Sequence, residues 1–143
     1  LERVLAESTA PWKIVAMHHP PYSAGYHGSD IDIRRAFSPI FERYHVQLVL
    51  AGHDHDYQRS EPINGVTYVV SGAAAKTRPT GWADFTEAAY SVRHFVDLRV
   101  WPDRLLLQAI NQEGVFDQIV IHLDRAAVVA AATPEAALSA IDS

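Results

Sequence analysis

The chain has 143 residues, enough for one domain with its own core. Hydrophobic residues make up 48% and charged residues 20%, a globular balance. A net charge of −5 with no basic run argues against a nucleic-acid partner, no apolar stretch approaches the length of a membrane span, and the absence of cysteine excludes disulfides and thiolate metal sites. Secreted and periplasmic compartments both remain compatible with this composition.

Residues 1–9 read as the last turns of an amphipathic helix, with Val4 and Leu5 facing inward and Pro11 as the stop. The chain opens on these turns without an initiator methionine or signal peptide, so we expect a piece of a longer chain. Residues 13–17 form a short apolar run of the buried-strand kind. It enters His18-His19-Pro20-Pro21-Tyr22-Ser23, where two prolines end strand pairing. After a loop holding Gly25, His27 and Gly28, Ser29 and Asp32 resemble a capping box. The following helix carries Ile33, Phe37, Ile40, Phe41 and Tyr44 at helical spacing, and Pro39 predicts a kink or restart. Residues 47–51 form a second strand that delivers Gly52-His53-Asp54-His55-Asp56-Tyr57.

Strand, loop, helix and strand in this order make a βαβ pattern. Parallel α/β sheets place ligand sites at the C-terminal edge of their strands. The two strands should be near neighbours, so His18 and the His53/His55 pair should emerge on one edge. Further on, an Asn64-Gly65 turn leads into a strand ending at Ser71, and residues 76–84 read as a long polar loop. Residues 94–100, 104–111 and 115–123 predict an antiparallel meander with Glu113-Gly114 at its second turn. The alanine-rich residues 124–143 read as a tail, helical or frayed.

Eight histidines are many for this length, and four lie in two tight groups. Two imidazoles at i and i+2 after a strand and a glycine suit metal ligation; the alternative is a pair of part-buried histidines satisfied by backbone. His18 or His19 would add a ligand, and strand alternation lets only one of them face the site. His27, in a Gly-rich loop, is a candidate donor to a phosphate oxygen or a plain surface histidine. Asp54 and Asp56 read equally as acceptors that orient an imidazole or as solvated loop carboxylates. Arg59 would pair with a carboxylate or sit near an anionic substrate. Trp12, Trp82 and Trp101 read as packing, and His45, His94 and His122 as residues without chemistry.

Val15-Ala16-Met17-His18 and Gly52-His53-Asp54-His55 resemble the last two of five short blocks, VxxH and GHxH, of the calcineurin-like metallophosphoesterases. The similarity is closest to the purple acid phosphatase branch, and Pro20-Pro21-Tyr22-Ser23, Asp56-Tyr57-Gln58-Arg59-Ser60 and Val69-Val70-Ser71-Gly72 extend it over residues 1–123. The resemblance implies an α/β fold with a mixed sheet, half of a four-layer α/β/β/α sandwich, with residues 1–123 as the C-terminal half of a catalytic domain. It implies that His18, not His19, is a ligand, that His18 and His53 hold one metal and His55 the other, and that His27 lies beside the phosphate. Iron, zinc or manganese would be the cofactor and a phosphate ester the substrate.

Two departures from the family pattern stand out. Ala73-Ala74-Ala75 replaces a glycine-rich run, and the blocks that bring two aspartates and an asparagine are missing. Neutral imidazoles cannot bridge two ions, so this chain alone should hold at most one metal, weakly, and be inactive. The missing half of the domain is then the expected partner. Two functions follow: the histidine side of a metal-dependent phosphoesterase, or a non-catalytic fragment that binds metal or protein.

Overall fold

The computed structural model describes residues 1–126. In chain order they form α1 (Glu2–Glu7), β1 (Ile14–Ala16), α2 (Ile31–Arg43), β2 (Leu48–Ala51), β3 (Tyr57–Ser60), β4 (Thr67–Ser71), β5 (Thr86–Tyr90), β6 (Phe95–Val100), β7 (Arg104–Asn111) and β8 (Gly114–His122). A five-stranded mixed sheet runs β1-β2-β4-β3-β5, and an antiparallel sheet runs β6-β7-β8. β1 pairs with β2 in parallel, Ile14 opposite Leu48, which is the βαβ unit the sequence predicts. β4 adds in parallel to the other side of β2. β3 then runs antiparallel to both β4 and β5. The meander appears as expected, turned at Gly114.

The five-stranded sheet is apolar on both faces because it lies between two layers. On one face Leu48, Tyr57, Val69 and Ala88 pack against Leu105, Leu107 and Ala109 of β7. On the other face Val49, Val66 and Tyr68 pack against Leu5 and Phe41 of the helices. Adjacent residues in β2 thus serve different cores, as strand alternation requires. The result is a mixed α/β architecture of helices, mixed sheet and second sheet.

Several details differ from the sequence reading. Asp30, not Ser29, caps α2: its side chain accepts from Ile33 N at 3.0 Å. The Ser29 hydroxyl is engaged instead by Ser23 and Arg34. α2 runs through Pro39 as one helix. It ends in a Schellman arrangement, with His45 N bonded to Glu42 O and Val46 N to Phe41 O. β1 is an edge strand, not a buried one, and leaves Ile14 39% exposed. Val4 is 61% exposed and only Leu5 of α1 is buried. Trp82 is 67% exposed and so does not serve as packing.

Short β3 and β5 lie in stretches to which the sequence pattern assigns no element. β3 is polar yet wholly buried, because each polar group has a partner. Gln58 bonds Asp56 and Ser23, Arg59 bonds Asp117, and the Ser60 hydroxyl accepts from Tyr68 N. Residues beyond 126, most of the expected alanine-rich tail, lie outside the described residues.

Candidate metal and phosphate site

The β1 and β2 tips share one edge, and their pairing continues past the strands. Met17 N donates to Leu50 O at 2.9 Å and Gly52 N to His18 O at 3.0 Å. This places the His18 and His53 main chains side by side. The His18 Nε2 and His53 Nδ1 atoms lie 3.3 Å apart. Two nitrogens each bound at about 2.0–2.1 Å to one tetrahedral ion would be separated by about 3.3–3.4 Å. The observed spacing fits co-ligation.

His19 joins them, against the alternation argument. β1 ends at Ala16, the chain bends at residues 18–19, and strand alternation no longer applies. One ring nitrogen from each of His18, His19 and His53 lies within 4.8 Å of the others. The His19 Nδ1 atom is 3.0 Å from the Asp30 carboxylate. That link exists because Asp30, and not Ser29, caps α2. Hydrogen bonds from Ile33 N and from His19 hold the half-buried Asp30 carboxyl below its ordinary range.

His53 has φ +66°, the left-handed region that costs a non-glycine residue about 1–3 kcal/mol. The strain therefore falls on the histidine, not on the preceding Gly52. The glycine that the loop requires is Gly72, at the end of β4. A Cβ there would lie 2.0 Å from Asp54 O. Gly72 lets the two loops touch, and Gly72 N donates to Asp56 O at 3.2 Å. Burial first, then the neighbouring imidazoles of His19, His27 and His18, push the His53 pKa down. That favours the neutral ring, the form that ligates metal.

Asp54 and Asp56 are both buried, so neither is a solvated loop carboxylate. Asp54 accepts from His27 N at 2.8 Å and, through a short bond, from the Ser23 hydroxyl. It ties the His27 loop to the histidine pair instead of orienting an imidazole. Asp56 accepts from Gln58 at 2.9 Å, and burial raises its pKa. The His27 ring is 4.4 Å from that of His53. His19, His27, His53, Asp30 and Asp32 line a cavity of about 420 Å³ at the N-terminus of α2.

His55 is not among the three clustered histidines. Its Nδ1 atom is buried without a hydrogen-bond partner, an orphan that a bound ion would satisfy. Arg59 pairs with Asp117 at 2.7 and 3.0 Å, deep between the sheets, so it does not meet a substrate. His94 is fixed by Ser71 and the Val92 carbonyl. No local sequence signal singles out Arg78, which lies in the polar loop after β4. Its Nη1 atom is 3.2 Å from His27 Nε2.

The donor set fits a metal of borderline softness: converging imidazoles and an unpartnered His55 nitrogen. A calcineurin-like phosphoesterase family model matches residues 1–57, the stretch that contains both histidine blocks. The chain belongs to the calcineurin-like phosphoesterases. Within them it falls in the purple acid phosphatase-like branch. It is 30% identical over 124 residues to tartrate-resistant acid phosphatase type 5 of Oryctolagus cuniculus, covering 80% of this chain and 38% of that protein. The fold is that of a purple acid phosphatase from yellow lupin (Lupinus luteus) seeds, with a TM-score of 0.75 and 20% identity over 90% of this chain and 28% of the other. It also matches the anchor in the inner membrane complex of Plasmodium, with a TM-score of 0.79 and 17% identity over 85% of this chain and 40% of the other. The phosphoesterase chain spans well under half the length of these curated relatives. No helix among its described residues is long and apolar enough to cross a membrane.

Proposed function

We propose that the chain supplies the histidine side of a metal-dependent phosphoric ester hydrolase. The supporting observation is the 3.3 Å approach of His18 Nε2 to His53 Nδ1 at a shared strand edge. His18 and His53 would hold one metal and His55 a second. Iron, zinc or manganese bound there would neutralise phosphoryl charge and lower the pKa of water. Carboxylate and asparagine ligands would come from the remainder of the domain, the partner this chain requires for catalysis.

The chain's own residues have distinct tasks in this reading. Left-handed backbone at His53, braced by Gly72, presents the ring at the loop tip. Asp54 anchors the His27 main chain, which keeps the His27 ring beside His53. His27 is then placed to touch a phosphate oxygen or leaving group. The test is hydrolysis of an aryl phosphate by the full-length gene product with added manganese, zinc or iron. Metal-independent or absent turnover rejects the reading.

A second reading has one observation in its favour: no carboxylate belongs to the converging histidine set among the described residues. On that reading the fragment is a non-catalytic module that binds metal or protein, with Ile14 at the open edge of β1 as a contact. A protein of this fold is an anchor in a membrane complex. Light scattering separates the two, since a monomer that recruits no partner contradicts the module.

A further inference from the structure

Arg78 is the unassigned group at this site. Its main chain is clamped on both sides: Arg78 N donates to His55 O at 2.8 Å, and its carbonyl accepts from the Ser91 hydroxyl at 2.6 Å. The side chain leaves that anchor and lies with Cζ 4.5 Å from the Tyr26 ring centroid, a cation–π contact. Nη1 meets His27 Nε2 at 3.2 Å. Arginine has no lone pair, so Nε2 accepts and the neutral imidazole carries its proton on Nδ1.

Among the described residues no carboxylate forms an ion pair with Arg78. Arg34, on α2, differs: its Nε and Nη2 donors are committed to Pro21 O and the Ser29 hydroxyl. Arg78 keeps most of its five donors free, beside a row of rings that runs His18, His53, His27. A guanidinium fork without a carboxylate, held next to imidazoles, matches the geometry of a phosphoryl group.

We propose that Arg78 binds a non-bridging oxygen of the substrate phosphoryl group and makes the site prefer doubly charged phosphomonoesters over singly charged phosphodiesters. This deepens the phosphoesterase reading and rests on it. The added charge of a monoester is what a fixed cation rewards; a diester converts one of the three terminal oxygens into a neutral ester and carries one charge fewer.

The experiment compares wild type with Arg78→Gln in the full-length gene product, loaded with manganese. Gln retains a donor for His27 Nε2 but removes the charge, and the clamp on the main chain is untouched. The readouts are kcat/KM for p-nitrophenyl phosphate and for bis-p-nitrophenyl phosphate, and inhibition by inorganic phosphate. We expect the monoester-to-diester ratio to fall about 10- to 100-fold, the range of a hydrogen bond to a charged group. The inhibition constant of phosphate should rise by a similar factor. Arg78→Lys, which keeps charge without the fork, should recover part of both. An unchanged ratio with unchanged phosphate inhibition overturns the proposal. If wild type hydrolyses neither ester, the phosphoesterase reading falls, and calorimetric titration of both proteins with inorganic phosphate still decides Arg78: equal affinities overturn it.

Discussion

Arg59 and Arg78 mark two regions built on opposite terms. Arg59 lies between the sheets, paired twice with Asp117, which also accepts from the Tyr57 hydroxyl at 2.6 Å. Burial alone would raise the Asp117 pKa, but the bonds from Arg59 and Tyr57 outweigh it and hold it low. Burial, and then the bond to Asp117, drive the Tyr57 phenol well above its usual range. Every polar group of that network has a partner. Arg78 stands at the rim without a carboxylate, near a strained His53 and an unpartnered His55 nitrogen. Unpartnered groups gathered at one edge are what the proposed ligand site requires, while satisfied ones hold the fold.

The largest expected effect follows from breaking the satisfied network. Asp117→Ala leaves a buried guanidinium and phenol unpaired and should cost about 3–5 kcal/mol of unfolding free energy, read by denaturant titration. Arg78→Ala should stay within about 0.5 kcal/mol in the same assay. Comparable losses at the two arginines would erase the contrast.

Next comes the contact that joins the two loops of the rim. Gly72→Ala drives a Cβ into Asp54 O and should cost about 1–3 kcal/mol, the range of overpacking. Calorimetry should show weakened metal uptake alongside it. Wild-type stability and uptake in this variant would show that the close approach is dispensable.

The Asp117 network should also respond to acid. Its folded pKa lies below the unfolded value of about 3.9, so its contribution is complete above that value and is lost as pH falls through the folded pKa. Asp117→Asn removes this titration. The stability gap between wild type and variant should narrow below about pH 4. A gap of constant size down to about pH 2 would contradict the paired carboxylate.

The smallest effect is the most discriminating, because two histidines share left-handed backbone. His45, with φ +53°, closes α2, and His53 sits at the rim. Glycine at either position should relieve strain and raise stability by up to about 1 kcal/mol. His45→Gly should bind metal as wild type does, while His53→Gly should lose it. A thermal melt and a metal titration on each variant check both halves.

This contrast also explains what the sequence revealed. The βαβ unit, the meander and the approach of His18 to His53 follow from apolar runs and turn residues, which are local signals. β3 was hidden because Gln58-Arg59-Ser60 shows no apolar pattern, and Asp117, which makes its burial tolerable, is distant in sequence. The edge position of β1 depends on which strands lie beside it, and no local pattern carries that. His19 escaped because the alternation argument needs a strand, and the strand had ended. Arg78 escaped because its partner His27 belongs to another loop.

The direct measurement is anomalous scattering at the zinc edge from crystals of the full-length gene product grown with zinc. The account predicts an ion within bonding distance of ring nitrogens of both His18 and His53. An ion bound elsewhere, or those two rings free of metal at saturating zinc, would contradict it.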